Sequence, residues 1–148
     1  MYIIFSYYKR CKYIAFYIWM NVEVNRLDII YNNIMNFDEF LNELHIDREL
    51  IQIRFSGMDH ILERFLLRFP GDQSMELMKQ AISKNQTEEF ERAAHTLKGL
   101  AANLGLDELS RLSADCVQLI RSNHIEAAKQ QYPYILAEYN RIIFIINH

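Results

Sequence analysis

Glycine and proline are scarce, with 4 and 2 in 148 residues, which argues against a turn-rich sheet protein and for helices. The 2 cysteines, Cys11 and Cys116, lie in unlike contexts and give no disulfide framework. A reducing, cytoplasmic location is the simpler expectation. No uncharged apolar run approaches the roughly 18 residues that a membrane span needs. The two most apolar segments, residues 2–8 and 13–20, are interrupted by Lys9, Arg10 and Lys12. A secretory signal is also missing, since no basic start leads into one apolar block and a small-residue cleavage site. Metal chemistry lacks its ligands as well. Three residues before His45, His60, His95, His124 and His148 stand Asn42, Gly57, Arg92, Arg121 and Ile145, so the Glu-x-x-His pairs of a di-iron bundle are absent. Neither His-Glu-x-x-His, Gly-x-Ser-x-Gly nor a phosphate-cradling glycine loop occurs. We expect no metal, no cofactor and no ATP site on this chain.

What is present divides in two. Residues 1–34 hold six of the 9 tyrosines and the single tryptophan, Trp19. We read this segment as lying upstream of the functional start, or as a dispensable tail, with Met35 opening the domain of residues 35–148. N-terminal sequencing of native protein tests that reading. The extension carries a charge of +2, leaving −5 of the total −3 for the remainder. An acidic domain is a poor partner for nucleic acid, and no membrane contact is expected of it. Its length fits a single domain, and a 51% apolar content fills a helical core.

Helical spacing recurs along residues 35–148. Phe37, Phe40, Leu41 and Leu44 predict a short helix across one end of a bundle, and Leu50, Ile51 and Phe55 predict another, stopped by Ser56-Gly57. Ile61, Leu62, Phe65, Leu66 and Phe69 fall on one face of the first long helix, which Pro70-Gly71-Asp72 should kink or stop. Met75, Met78 and Ile82 continue the stripe, with Leu77 and Ala81 on its flank. Asn85 is read as a left-handed stop and Thr87 as the N-cap of the next helix. Leu109, Leu112, Cys116 and Leu119 mark the helix after that, with Cys116 read as a core residue. Ser122-Asn123 turns the chain into a last helix. There Pro133 predicts a kink or a fresh start, and residues 142–146 form an apolar tail expected to pack in part on the short N-terminal helices.

Residues 88–105 organise the rest. At roughly 100° per residue, Phe90, Ala94, Leu97, Ala101 and Leu104 fall within about 40° of one direction. His95 lies roughly 140° from the centre of that stripe and should face water, beside the small residues Gly99 and Ala102 and with Lys98 one step round. Glycine inside a helix costs about 1 kcal/mol relative to alanine, and close approach of another surface offsets that cost. Imidazole, with a reference pKa of about 6.5, offers a nitrogen lone pair at neutral pH. Lys98 supplies a cation one turn away. Glu91, Arg92, Thr96 and Asn103 complete a polar face, whose simplest role is solvation.

The run AHTLKGLAANLG, with Ala94, His95, Leu97, Lys98, Gly99 and Gly105, resembles the signature of histidine-containing phosphotransfer (HPt) domains of bacterial multistep phosphorelays. The likeness extends more loosely over residues 47–146. It implies an all-α fold, an antiparallel four-helix bundle with short additional N-terminal helices, in which the segment around Pro70 is commonly one interrupted helix. It further implies that His95 accepts a phosphoryl group from an aspartate on one receiver domain and passes it to another. By the same analogy Lys98 steadies the phosphoryl oxygens, and Gly99, Ala102 and Arg92 form the docking face. The receivers, of a hybrid sensor histidine kinase and of a response regulator, bring the acidic pocket and Mg²⁺. The chain is then a carrier and not an enzyme, and is expected as a free-standing cytoplasmic monomer. Two other readings are an adaptor or inhibitor that docks on a receiver or kinase without carrying phosphate, and a helical interaction protein that uses the apolar tail.

Overall fold

Five corners among the described residues are built alike, each on a residue with a positive φ, Ser56 being followed by a second, Gly57 at 71°. They are His45 (59°), Ser56 (52°), Asn85 (53°), Gly105 (75°) and Asn123 (60°). At each, two backbone N–H groups reach back to carbonyls of the helix just ended. At Asn85, for example, the N–H of Gln86 donates to Ala81 at 2.9 Å and that of Asn85 to Ile82 at 3.2 Å. This closure satisfies carbonyls that a helix end leaves without partners. The computed structural model describes residues 37–148. The reading of residues 1–34 and the context of Cys11 lie outside the described residues.

Every element among the described residues is helical. They are α1 (Phe37–Glu43), α2 (Arg48–Arg54), α3 (Asp59–Arg68), a 3-10 turn (Phe69–Gly71), α4 (Ser74–Ser83), α5 (Thr87–Leu104), α6 (Asp107–Arg121) and α7 (Ile125–Asn147). Asp47 starts α2 by accepting from the N–H groups of Glu49 and Leu50, the ordinary N-cap arrangement. Pro70 lies inside the 3-10 turn, whose last carbonyl contact is Asp72 N–H to Phe69. None of these helices is long and apolar enough to cross a membrane.

Packing follows chain order. α5 lies between α4 and α6, α7 lies against α6, and α3 also touches α5. The expected stripe of α5 is buried in full, and Ala93 joins it. Phe90, Leu97 and Leu109 are almost wholly inaccessible, and burying side chains of this size contributes about 1.5–3 kcal/mol each. Arg141 of α7 donates to the Glu43 carbonyl at 2.8 Å, and Ile142 is fully buried while Phe144 remains 63% exposed. The apolar tail thus grades from core to surface, with Ile143, Ile145 and Ile146 half-buried.

Five expectations require correction, the first in α6, where Leu119 is only half-buried and Val117 and Ile120 extend the buried line instead. Phe65 is 48% exposed and leans on Phe55, their ring centroids 6.3 Å apart, so the α3 stripe is carried by Leu62, Leu66 and Phe69. In α4 the buried line is Ser74, Met75, Met78 and Ala81, while Ile82 is only half-buried. Helical spacing fixes a face to within one residue position, and contacts with α5 select between the candidates. Thr87 is the first helical residue and not the N-cap: Gln86 holds that position, its carbonyl accepting from Phe90 N–H at 3.0 Å. The Asn85 corner sets this entry point, one residue earlier than side-chain preference suggests. Pro133 neither breaks nor restarts the last helix, which runs unbroken for 23 residues. Pro133 is exposed and leaves the carbonyl of Lys129, four residues earlier, without its helical N–H partner.

Candidate functional site

α5 is an 18-residue helix with Glu88 and Glu89 in its first turn, where carboxylates complement the positive end of the helix. Gly105 closes it in the left-handed region, φ 75°. A Cβ there would lie 3.1 Å from both Ile46 and Ile51, so the linker into α2 and α2 itself seat directly on the end of the histidine helix. The Arg54 guanidinium of α2 also donates to the Ala102 carbonyl, and Ser110 of α6 donates to the Lys98 carbonyl at 3.2 Å. These contacts hold the rotation of α5 about its own axis.

With the apolar stripe facing inward, His95 is exposed, and Lys98, Gly99 and Ala102 are half-buried. A Cβ added at Gly99 meets nothing within 4 Å. Intramolecular packing gives no reason for glycine at this position, since a methyl group has open space before it.

His95 lies in a shallow groove that also includes Glu88, Glu91, Arg92, Thr96 and Arg121. Arg121 arrives from the last turn of α6, its Nε 2.7 Å from Oε1 of Glu91. Glu91 precedes His95 by four residues and so lies one turn away on the same face. Arg92 is held less closely, its Nη1 3.3 Å from Glu89, and the Thr96 hydroxyl donates to the Arg92 carbonyl at 2.9 Å. Lys98 is not part of this groove and makes no ion pair among the described residues. The site residues expected from the sequence thus divide: His95 and Arg92 share the groove, while Lys98, Gly99 and Ala102 continue the face toward the C-terminal end of α5. Sequence reasoning missed the Glu91–Arg121 pair. Glu91 was visible as a helical neighbour of His95, but which cation of a neighbouring helix reaches it depends on helix packing.

Elsewhere the chemistry is quiet. Burial pushes the Cys116 thiol up to about 12, and it donates a long hydrogen bond to the Ala128 carbonyl at 3.8 Å. No cluster of three or more His, Cys, Asp or Glu suited to a metal ion occurs among the described residues. His45, His60, His124 and His148 are exposed.

Comparison with known proteins gives one positive result. The family model of the Hpt domain matches residues 60–143. No curated protein and no solved structure matches. The matched segment covers more than half of the sequence and contains the histidine helix complete with its packing partners α4 and α6. The chain therefore belongs to the Hpt domain family, whose members carry phosphoryl groups on histidine in two-component signalling and interact with receiver domains.

Proposed function

We propose that this protein is a phosphorelay intermediate in which His95 accepts a phosphoryl group from a receiver aspartate and passes it to a second receiver. The observation that carries the reading is the placement of His95 on the open face of α5, beside a glycine with unoccupied space in front of it. The supporting frame is an antiparallel four-helix bundle formed by the α3–α4 pair, α5, α6 and α7. Short turns between helices that pack in chain order favour that arrangement.

In the forward step a ring nitrogen of His95 attacks phosphorus with its lone pair. An N–P bond forms, the P–O bond to the receiver aspartate breaks, and the carboxylate leaves with the bonding electrons. The proton on the other ring nitrogen stays in place or exchanges with water. Transfer onward is the same displacement in reverse with a different carboxylate. Such reactions depend mainly on alignment and on neutralising the equatorial oxygens. Lys98 supplies a cation, Gly99 and Ala102 let the receiver approach the helix backbone, and Arg92 adds positive charge at the rim. Mg²⁺ belongs to the receiver in this scheme, and it neutralises the phosphoryl oxygens there. The chain acts as a monomeric cytoplasmic carrier whose two partners use one transient interface.

The test is incubation with a phosphorylated receiver and Mg²⁺, scoring acid-labile, alkali-stable phosphate on wild type and on His95→Gln. Label on wild type alone is the expected result. Absence of label on both, across several receivers and with folded protein, would replace the carrier by an adaptor that docks through the same face.

A further inference from the structure

The groove at His95 contains a cation already engaged elsewhere. Arg121 lies beside the histidine but its guanidinium is bound to Glu91, and neither side chain is deeply buried: 58% of Arg121 and 32% of Glu91 is accessible. A pair this exposed is weak. A phosphoryl group on His95 would add roughly two negative charges and three acceptor oxygens about one helical turn from Glu91. It would repel that carboxylate and present a better acceptor to a guanidinium fork, which binds two phosphoryl oxygens side by side.

We propose that Arg121 is a second phosphoryl-binding residue, parked on Glu91 while His95 is free and handed to the phosphoryl oxygens once the histidine is charged. This rests on the reading of His95 as the phosphoryl carrier. The two cations then serve different sides. Lys98 follows the histidine along α5, whereas Arg121 reaches over from α6 on the side of Glu91. Arg92 also shares the groove, paired more loosely with Glu89 on its own helix. Glu91 acts as the keeper: it holds the arginine in place without a phosphoryl group, and in both states Arg121 faces a negative group, the phosphoryl oxygens replacing the carboxylate. No bond is made or broken in the exchange beyond hydrogen bonds.

The experiment uses the full chain phosphorylated with phosphoramidate, which needs no receiver. ³¹P NMR follows ionisation of the phosphoryl group, and the Arg121 Nε–H resonance reports its acceptor. The charged groups around the phosphoryl group are Glu88, Glu91, Arg92 and Lys98 of α5 and Arg121 of α6. On phosphorylation the Arg121 resonance should shift in wild type. Arg121→Gln should raise the phosphoryl ionisation by roughly half a unit, and Glu91→Gln should lower it by a similar amount. Opposite signs follow from any two opposite charges near the phosphoryl group, so the Arg121 resonance decides: a purely structural ion pair keeps Glu91 as its acceptor and leaves that resonance in place. An Arg121 resonance that does not move, or an Arg121→Gln protein that titrates like wild type, overturns the proposal. Labelling of wild type by phosphoramidate but by no receiver would remove the carrier reading and leave the arginine exchange standing on its spectra. Failure of phosphoramidate and of every receiver to label His95 overturns both.

Discussion

Arg121 Nε lies 2.7 Å from Glu91 Oε1, joining the last turn of α6 to the histidine helix one turn before His95. Because the pair is largely solvent-accessible, its effect on folding is small. Arg121→Ala should lower unfolding stability by less than about 1 kcal/mol. The difference from wild type should shrink further in 0.5 M salt, on the order of a Debye length of 4 Å. Urea denaturation at two salt concentrations measures this.

Two glycines of one helix should respond oppositely to alanine. At Gly99 the added methyl group meets open space within a helix, so Gly99→Ala should stabilise by about 0.5–1 kcal/mol. Gly105 has φ 75° and two isoleucines 3.1 Å from the new Cβ, so Gly105→Ala should destabilise by about 1–2 kcal/mol or more. Thermal melts of the two variants decide the matter. Gly99→Phe should stay folded yet accept phosphate from a receiver far more slowly, because the side chain fills the space a partner needs.

The apolar tail should divide between core and surface. Ile142 is fully buried and Phe144 is 63% exposed. Ile142→Ala should cost about 2–4 kcal/mol, and Phe144→Ala should stay within about 0.5 kcal/mol of wild type. Equal losses at both positions would mean that the tail is covered on all sides in solution.

Alkaline stability should fall early. The Cys116 thiol has its ordinary value of 9.0 raised to about 12 by burial, and burial also raises the Tyr132 and Tyr139 phenols. In each case the folded state retains a proton that the unfolded chain gives up, so the stabilisation is complete below the unfolded value and is lost as pH rises toward the folded one. For Cys116 that window is pH 9 to 12. Peptide-resolved alkylation should leave Cys116 unmodified in native protein and modify it readily in denaturant.

The histidine helix was legible almost residue by residue because its stripe is regular and its polar face contains no large apolar side chain to compete for burial. Phe65 and Leu77 were less so. Each sits at the edge of an apolar face, where spacing permits burial and only the neighbouring helix decides. The corners at Asn85, Gly105 and Asn123 could be read from residues that tolerate a left-handed backbone. Ser56 was legible through Gly57 beside it, whereas His45 adopts the same conformation with no glycine or asparagine to mark it, closed by backbone hydrogen bonds. The Glu91–Arg121 pair joins residues 30 apart on two helices, beyond any local pattern.

The bond from Arg141 to the Glu43 carbonyl spans 98 residues, whereas most helix packing here joins successive elements. Contacts between successive helices close short loops and form quickly, while a contact of this span must wait for the intervening chain. The joining of α1 to the end of α7 is thus a late event by chain separation, and Leu41, Leu44 and Ile142, all buried, fasten it once it has formed. Its opening would loosen the chain at the end of α7 while α4, α5 and α6 keep the histidine face intact.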